Sequence, residues 1–476
     1  MTFRRTKIVA TVGPACDEGR VLDALIHAGV NVFRVNTSHS SPSELVKWIS
    51  TIRRISADEK KEVSILVDLQ GPRLRTGRLK DGKPLNLRKG AVVTFFSAPG
   101  VGFGNQIYTP YKQFSRMVQN GDRILLDNGL IELRVLRVKG LVVYCLVVTS
   151  GSLGENKGIN LPNAPDTLPA LNDRDREMIR ITQKNKADFI ALSFVRSPKD
   201  VLELKKFMKR TGQEIPVIAK IEKPSALKCL KQILKVADGI MVARGDLGIE
   251  MGVEKVPVAQ KRLINQANAS GKPVIVATQM LESMMDHPRP TRAEASDVAN
   301  AVFDGTDAVM LSGETSIGKY PIKTVRTMAK IIDEAESHQQ MNQFDLKERY
   351  HAIEDLRIHA ITHAAYEAAK NMKVKAMLAI TYSGRTAALI SKMKPKIPIF
   401  AFSSAFPIRK KLNLYYGVYP IAIKKCPTID EILCEADGLV IKRGLLNKGD
   451  VVIVVSGDQE LPGARYIVKI HQVGER

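Results

Sequence analysis

Along the first two thirds of the chain, short apolar runs return at near-even intervals: Lys7–Gly13, Asn31–Ser38, Ser64–Gly71, Ala187–Val195, Pro216–Glu222, Asp238–Asp246, Pro273–Met280 and Ala308–Thr315. Each holds a continuous stretch of β-branched and aliphatic residues, the pattern of a strand buried on both faces. The segments between them switch to helical periodicity and carry start signals. Asp173-Arg174-Asp175-Arg176-Glu177 opens one helix; Ser197 followed by Pro198 caps another; Thr291 with Glu294 forms a capping box. Eight strands alternating with helices predict an α/β fold, a (β/α)8 TIM barrel. A doubly wound sheet competes, but near-equal units favour closure.

One connection breaks the pattern. Between Pro72 and about Asp166 the helical period vanishes. Gly- and Pro-bearing turns separate alternating strands at Val92–Ser97, Arg123–Leu126, Ile131–Val138 and Leu141–Thr149. This predicts a small all-β domain inserted after the third strand, standing as a lid over the C-terminal face of the barrel, where active sites form. A polar stretch, Gln339–Gln343, follows the last barrel helix. Beyond it, helix Ala352–Met372, strand Lys375–Thr381, a helix from Gly384 and strands Ile397–Ser403 and Val451–Ser456 predict a separate C-terminal α/β domain. The expected division is 1–71 and 167–338 for the barrel, 72–166 for the lid and 339–476 for the C-terminal domain.

Composition adds one unusual number. Seventy-two Lys and Arg against 49 Asp and Glu leave a formal charge of +23, which raises the question of an anionic partner. The surplus is densest in the lid, with 14 basic and 6 acidic residues. One Trp and 5% aromatics argue against base-stacking modules, and therefore against a nucleic-acid partner. No stretch approaches the ~20 apolar residues of a membrane span. Met1–Lys7 runs straight into an apolar segment without the long core of a secretory signal. The five cysteines lie far apart with no C-x-x-C pair, which suggests a reducing, cytoplasmic setting and buried thiols, Cys16 among them.

In a barrel the strand ends point at the active site. Here they carry Arg34, Asn36 and Ser38; Asp68; Ser193; Lys220 and Glu222; Asp246; Thr278; and Ser312 with Glu314. So many charged and hydroxyl residues closing apolar strands is more than strand-end solvation explains. Glu222 and Asp246 are hard oxygen donors suited to Mg2+ or Mn2+. Lys220, two residues before Glu222, shares its face and can neutralise a transferring phosphoryl group. Gly245 lets an anion approach the backbone at a helix start. Thr278 offers a hydroxyl for substrate binding or proton relay. Asn36, Ser38 and Asp68 are oxygen donors for a monovalent cation, and Arg34 suits phosphate.

At these residues the chain resembles the pyruvate kinases. The similarity rests on Lys7–Ala15, Phe33–His39, Asp68–Arg75, Lys157–Pro162, Ile218–Glu222, Met241–Gly248, Ala277–Met284 and Met310–Thr315, in order along the chain. The resemblance implies phosphoryl transfer from phosphoenolpyruvate to ADP, giving pyruvate and ATP. It places Lys220 at the transferring phosphoryl group, Glu222 and Asp246 on Mg2+, and Gly245, Asp246 and Thr278 at the enolpyruvate carboxylate. Arg34 and Ser193 would hold the phosphoryl group. Arg75, Lys157, Asn36 and His39 would meet the nucleotide, and Thr278 and Ser312 would relay a proton to the enolate. It also implies a homotetramer.

One departure concerns K+, for which Asn36, Ser38, Asp68 and Leu69 are the candidate ligands. Leu69-Gln70 and Arg73 resemble the members that do without it, so activity is expected to need Mg2+ but little K+. In the C-terminal domain, Ser383, Gly384, Arg385 and Thr386 align with the family's effector-phosphate loop at a strand-to-helix turn. The acidic loop Ser456–Gly463 favours a sugar monophosphate or AMP over fructose 1,6-bisphosphate. Among weaker signals, His359, His363 and Glu367 have metal-compatible helical spacing without a matching motif. Gly100-Val101-Gly102-Phe103-Gly104 lacks the following helix of a dinucleotide site. A metal-dependent barrel lyase acting on pyruvate enolates, or a non-catalytic basic binding protein, are the competing readings.

Overall fold

In a computed structural model of the chain, the described residues are 3–162, 169–338, 356–426, 428–457 and 466–475. Eight parallel strands close into a barrel: Lys7–Thr11, Val32–Asn36, Ser64–Asp68, Phe189–Leu192, Val217–Ile221, Gly239–Ala243, Val274–Ala277 and Ala308–Leu311. Closure is made by the first and eighth strands, in the register Lys7↔Ala308 to Ala10↔Leu311. Side chains alternate across each strand. Ile8, Ala10, Phe33 and Val35 point outward and pack under the helices. Val9, Leu66, Phe189, Met241 and Met310 point inward and fill the barrel, closed from below by Leu414 of the C-terminal domain.

Every strand ends short of the apolar run that predicts it. The difference has a physical cause at the fourth and seventh, where Phe194 (φ +54°) and Thr278 and Gln279 (φ +69° and +53°) leave extended backbone altogether. The helix starts match the sequence signals. Ser197 and Thr291 each exchange reciprocal capping bonds, with Asp200 and Glu294.

The lid is a seven-stranded sheet whose centre is the antiparallel pair Ile131–Lys139 and Val142–Thr149, bulged twice in its ladder. Its own core is built on Val93, Phe95, Phe114, Leu133 and Cys145. The C-terminal domain is a five-stranded sheet in the order Val418–Ala422, Ile399–Ser403, Ala376–Ile380, Val451–Ser456, Ile467–Gln472; only the last strand runs antiparallel. The proposed boundary at Gln339–Gln343 lies outside the described residues.

The barrel meets this domain at a buried charge cluster under its floor. Asp307, one residue before the eighth strand and fully buried, takes ion pairs from Lys392 and, at 2.9 Å, Lys394. Its carboxylate also accepts the N–H of Val274 at 2.9 Å and of Tyr416 at 3.2 Å. Burial opposes the charge on Asp307, but the two lysines outweigh it and hold its carboxyl below the usual range. Nearby, Lys7 is buried with its Nζ on the Val418 carbonyl at 2.6 Å and over the Tyr419 ring.

Candidate active site

The inward positions of the barrel continue upward from apolar to charged. Leu66 is followed by Asp68, Ala191 by Ser193, Ile218 by Lys220 and then Glu222. A period of two turns a strand's last inward positions into the top layer of the barrel, which is why these residues meet.

Lys220 is the centre of that layer. Its ammonium lies 2.7 Å from the Ser193 hydroxyl, 2.9 Å from Glu222 and 3.3 Å from Asp68. Arg34 closes the other side, donating to Asp68 at 2.8 Å from Nε and to the Thr11 hydroxyl at 3.0 Å. Burial disfavours charge on Asp68, yet Lys220 and Arg34 overcome it and keep its carboxyl below the ordinary value. Burial likewise opposes the Lys220 ammonium, but Asp68 and Glu222 hold it protonated. Glu222 goes the other way. Burial, with the like charge of Asp246, pushes its carboxyl up despite Lys220 and the Phe194 N–H.

Glu222 directly follows the fifth strand, Asp246 lies just past the end of the neighbouring sixth, and Glu222 feels the charge of Asp246. A divalent cation shared by two such hard oxygen donors relieves their repulsion, so the pair fits Mg2+ or Mn2+. Asp246 lies in the first turn of helix Arg244–Met251, and the Gly245 N–H donates to the Thr278 hydroxyl at 2.8 Å. Thr278 in turn donates to the Ala277 carbonyl at 2.6 Å. Ser312 stands at the end of the eighth strand, its N–H bonded to Glu314 at 2.6 Å; Glu314 also accepts the Leu281 N–H.

The lid reaches this rim. Arg73 lies 4.0 Å from Asp246 and donates to Asn128 at 3.1 Å. Asn160 donates to the buried Glu250 of the helix that begins at Arg244. Lys157 pairs with Asp127 at 3.0 Å, and Arg75 holds the Asn156 carbonyl. His39 is exposed at the mouth. Partial burial and the guanidinium groups of Arg75, Arg34, Arg73 and Arg174 lower its pKa.

Three of the four K+ candidates are already engaged with protein groups. Asp68 faces Arg34, Lys220 and Ser193, the Leu69 carbonyl accepts from Ser193 at 2.7 Å, and Asn36 Oδ1 accepts the Ser38 N–H. Ser383, Gly384, Arg385 and Thr386, the expected effector loop, sit elsewhere, at the start of helix Arg385–Lys392 in the C-terminal domain. Ser383 and Arg385 are exposed there, Gly384 turns with φ +85°, and Thr386 is buried. Of the loop Ser456–Gly463, positions 458–463 lie outside the described residues. His359 and His363 are 6.5 Å apart ring to ring, and His359 is buried. Among the described residues, the one group of three whose ligand atoms converge is the surface trio Asp23, His27 and Glu59. Cys16 is buried, and burial pushes its thiol up to about 11.

Two contributors escape the reading by residue type. Thr11 bridges Arg34 to the eighth strand through the Leu311 carbonyl. Arg244 carries no strand-end signal of its own beyond standing next to Gly245.

Comparison with known proteins agrees over almost the whole length. Residues 3–325 match the family model "Pyruvate kinase, barrel domain" and residues 359–471 match "Pyruvate kinase, alpha/beta domain". The chain is 42% identical to a pyruvate kinase of Sporosarcina psychrophila over 484 residues, covering 99% of this chain and 81% of that one. It is equally similar to a pyruvate kinase of Staphylococcus aureus over 476 residues, with the same coverage. Among solved structures, a pyruvate kinase from Cryptosporidium parvum superposes with a TM-score of 0.93 at 34% identity, over 99% of this chain and 96% of that chain.

Proposed function

The chain belongs to the pyruvate kinase family, and on that premise we propose how its own residues carry the transfer of a phosphoryl group from phosphoenolpyruvate to ADP. The observation that carries the reading is Lys220, held protonated within reach of Ser193, Asp68 and Glu222 at the top of the barrel. Its ammonium, with Arg34, would neutralise the charge spread over the phosphoryl oxygens in flight. Ser193 would orient the same group. Gly245 and Thr278 would seat the substrate carboxylate at the start of helix Arg244–Met251. Glu222 and Asp246 would hold the divalent cation, which supplies Lewis-acid stabilisation when bound. Thr278 and Ser312 are the hydroxyls for proton delivery to the enolate. Arg75, Lys157, Asn36 and His39 would meet the nucleotide phosphates beneath the lid.

K+ is dispensable in this reading. Of the oxygens that would ligate it, the Asp68 carboxylate and the Leu69 carbonyl already serve Arg34, Lys220 and Ser193, and Arg73 brings a fixed positive charge to the same rim. The C-terminal loop at Ser383, Gly384 and Arg385 would take an effector phosphate, a sugar monophosphate or AMP rather than a bisphosphate. The exposed apolar side chains Val253, Val258 and Ile317 on the barrel support assembly into a homotetramer. The setting is cytoplasmic; among the described residues no helix is long and apolar enough to cross a membrane.

A steady-state assay tests the whole reading. Pyruvate formation from phosphoenolpyruvate should require ADP and Mg2+, vary little with K+ at constant ionic strength, and respond to glucose 6-phosphate, ribose 5-phosphate or AMP. Pyruvate formed without ADP would favour the lyase. A steep K+ requirement, or a response to fructose 1,6-bisphosphate alone, would overturn the corresponding part.

A further inference from the structure

Thr278 presents an unusual backbone. It is β-branched yet sits at φ +69°, and Gln279 follows at +53°. A β-branched residue in the left-handed region persists only where its surroundings over-determine it. Beside the bonds of its own hydroxyl, one side chain dominates the surroundings here. The Arg244 guanidinium donates to three successive carbonyls of this turn: Ala277 at 3.3 Å, Thr278 at 2.7 Å and Gln279 at 3.3 Å. Its remaining face is locked by Asp297 of helix Arg292–Phe303 at 2.7 Å. The Arg244 side chain is about nine-tenths buried, so this fork is not a mobile surface contact.

The same residue opens helix Arg244–Met251, whose next N–H, from Gly245, donates to the Thr278 hydroxyl at 2.8 Å. Arg244 therefore grips the turn by its side chain while its chain neighbour grips the hydroxyl. The guanidinium spreads its donors in a rigid plane, Nε and one Nη on the turn and the other Nη on Asp297; a lysine would bring its three donors on one compact ammonium that cannot hold both sides in that geometry. We propose that Arg244, anchored by Asp297, is a positioning residue that holds Thr278 in its left-handed conformation and so aims its hydroxyl at the reacting substrate. The proposal rests on the role given to Thr278 above. It predicts that Arg244 acts through Thr278 and contributes little without it.

A double-mutant cycle tests this on the full-length enzyme, with saturating phosphoenolpyruvate, ADP and Mg2+. R244M should lower kcat about 100-fold, the scale of loss expected from slight misplacement of a reacting group. KM for phosphoenolpyruvate should change much less. In the T278A background the same substitution should change kcat far less than in the parent, because the group it positions is gone. Equal fold-losses in both backgrounds would overturn the proposal. Thermal unfolding checks that R244M folds; should it fail to, R244K and D297N take its place in the cycle. R244K should also lose kcat, since one compact ammonium cannot hold the turn and Asp297 together as the fork does, and a fully active R244K would refute the mechanism. Parent-like turnover by T278A would instead sink the role of Thr278 itself, and the positioning argument with it.

Discussion

At the scale of single residues, the energetics of the site converge on one ammonium. Lys220 offsets two buried carboxylates whose charges burial alone disfavours. K220M leaves Asp68 to Arg34 and leaves Glu222 facing the like charge of Asp246. We expect kcat to fall by about 1,000-fold or more, while phosphoenolpyruvate binding with Mg2+ stays measurable by titration. Turnover within tenfold of the parent (~1.4 kcal/mol) would contradict the role given to Lys220. These residues are legible in the sequence because a strand has a period of two: once Ile218 is inside, Lys220 and Glu222 must follow it. Arg244 is not legible that way. Its partners are backbone carbonyls of a turn more than thirty residues on, and nothing in their side chains announces that a donor is needed.

At the scale of elements, strands bounded by turns read well and strands at the edge read badly. Arg123–Leu126 is recovered to the residue. The closing strand Ile467–Gln472 has no expectation behind it, since Lys469, Ile470 and Gln472 are exposed and only His471 is buried, which hides any alternation. The lid's attachment is equally silent in sequence. Asn160, in strand Gly158–Asn160, bonds Glu250 across the gap to helix Arg244–Met251. Glu250→Ala removes a buried charged acceptor and should cost about 1.5–3 kcal/mol. Hydrogen exchange should then speed up at amides 158–160, with kcat/KM for ADP reduced. Unchanged protection there would show that the lid is held by other contacts.

At the scale of the whole molecule, the order of modules was readable but the joint between barrel and C-terminal domain was not. Asp307 and Lys392 are 85 residues apart, and no local pattern links them. The joint also makes stability depend on pH through Lys7. Burial, and after it Arg4, lower its pKa from 10.5 to about 7, while Glu336 and Asp307 oppose the shift. Between those two pH values the unfolded chain binds a proton that the folded chain does not. The contribution of Lys7 to stability therefore rises with pH across that window. Urea unfolding at pH 7 and pH 10 should show the parent gaining on K7M as pH rises; a constant gap would refute this. The Asp307 cluster has a further consequence, for recombination. The barrel supplies the carboxylate, and the C-terminal domain supplies both lysines and the Tyr416 N–H. A C-terminal domain grafted from a distant relative that lacks both lysines would leave the buried Asp307 charge without a counter-ion. The two modules are keyed to each other, and the key is cut at a floor that no substrate reaches.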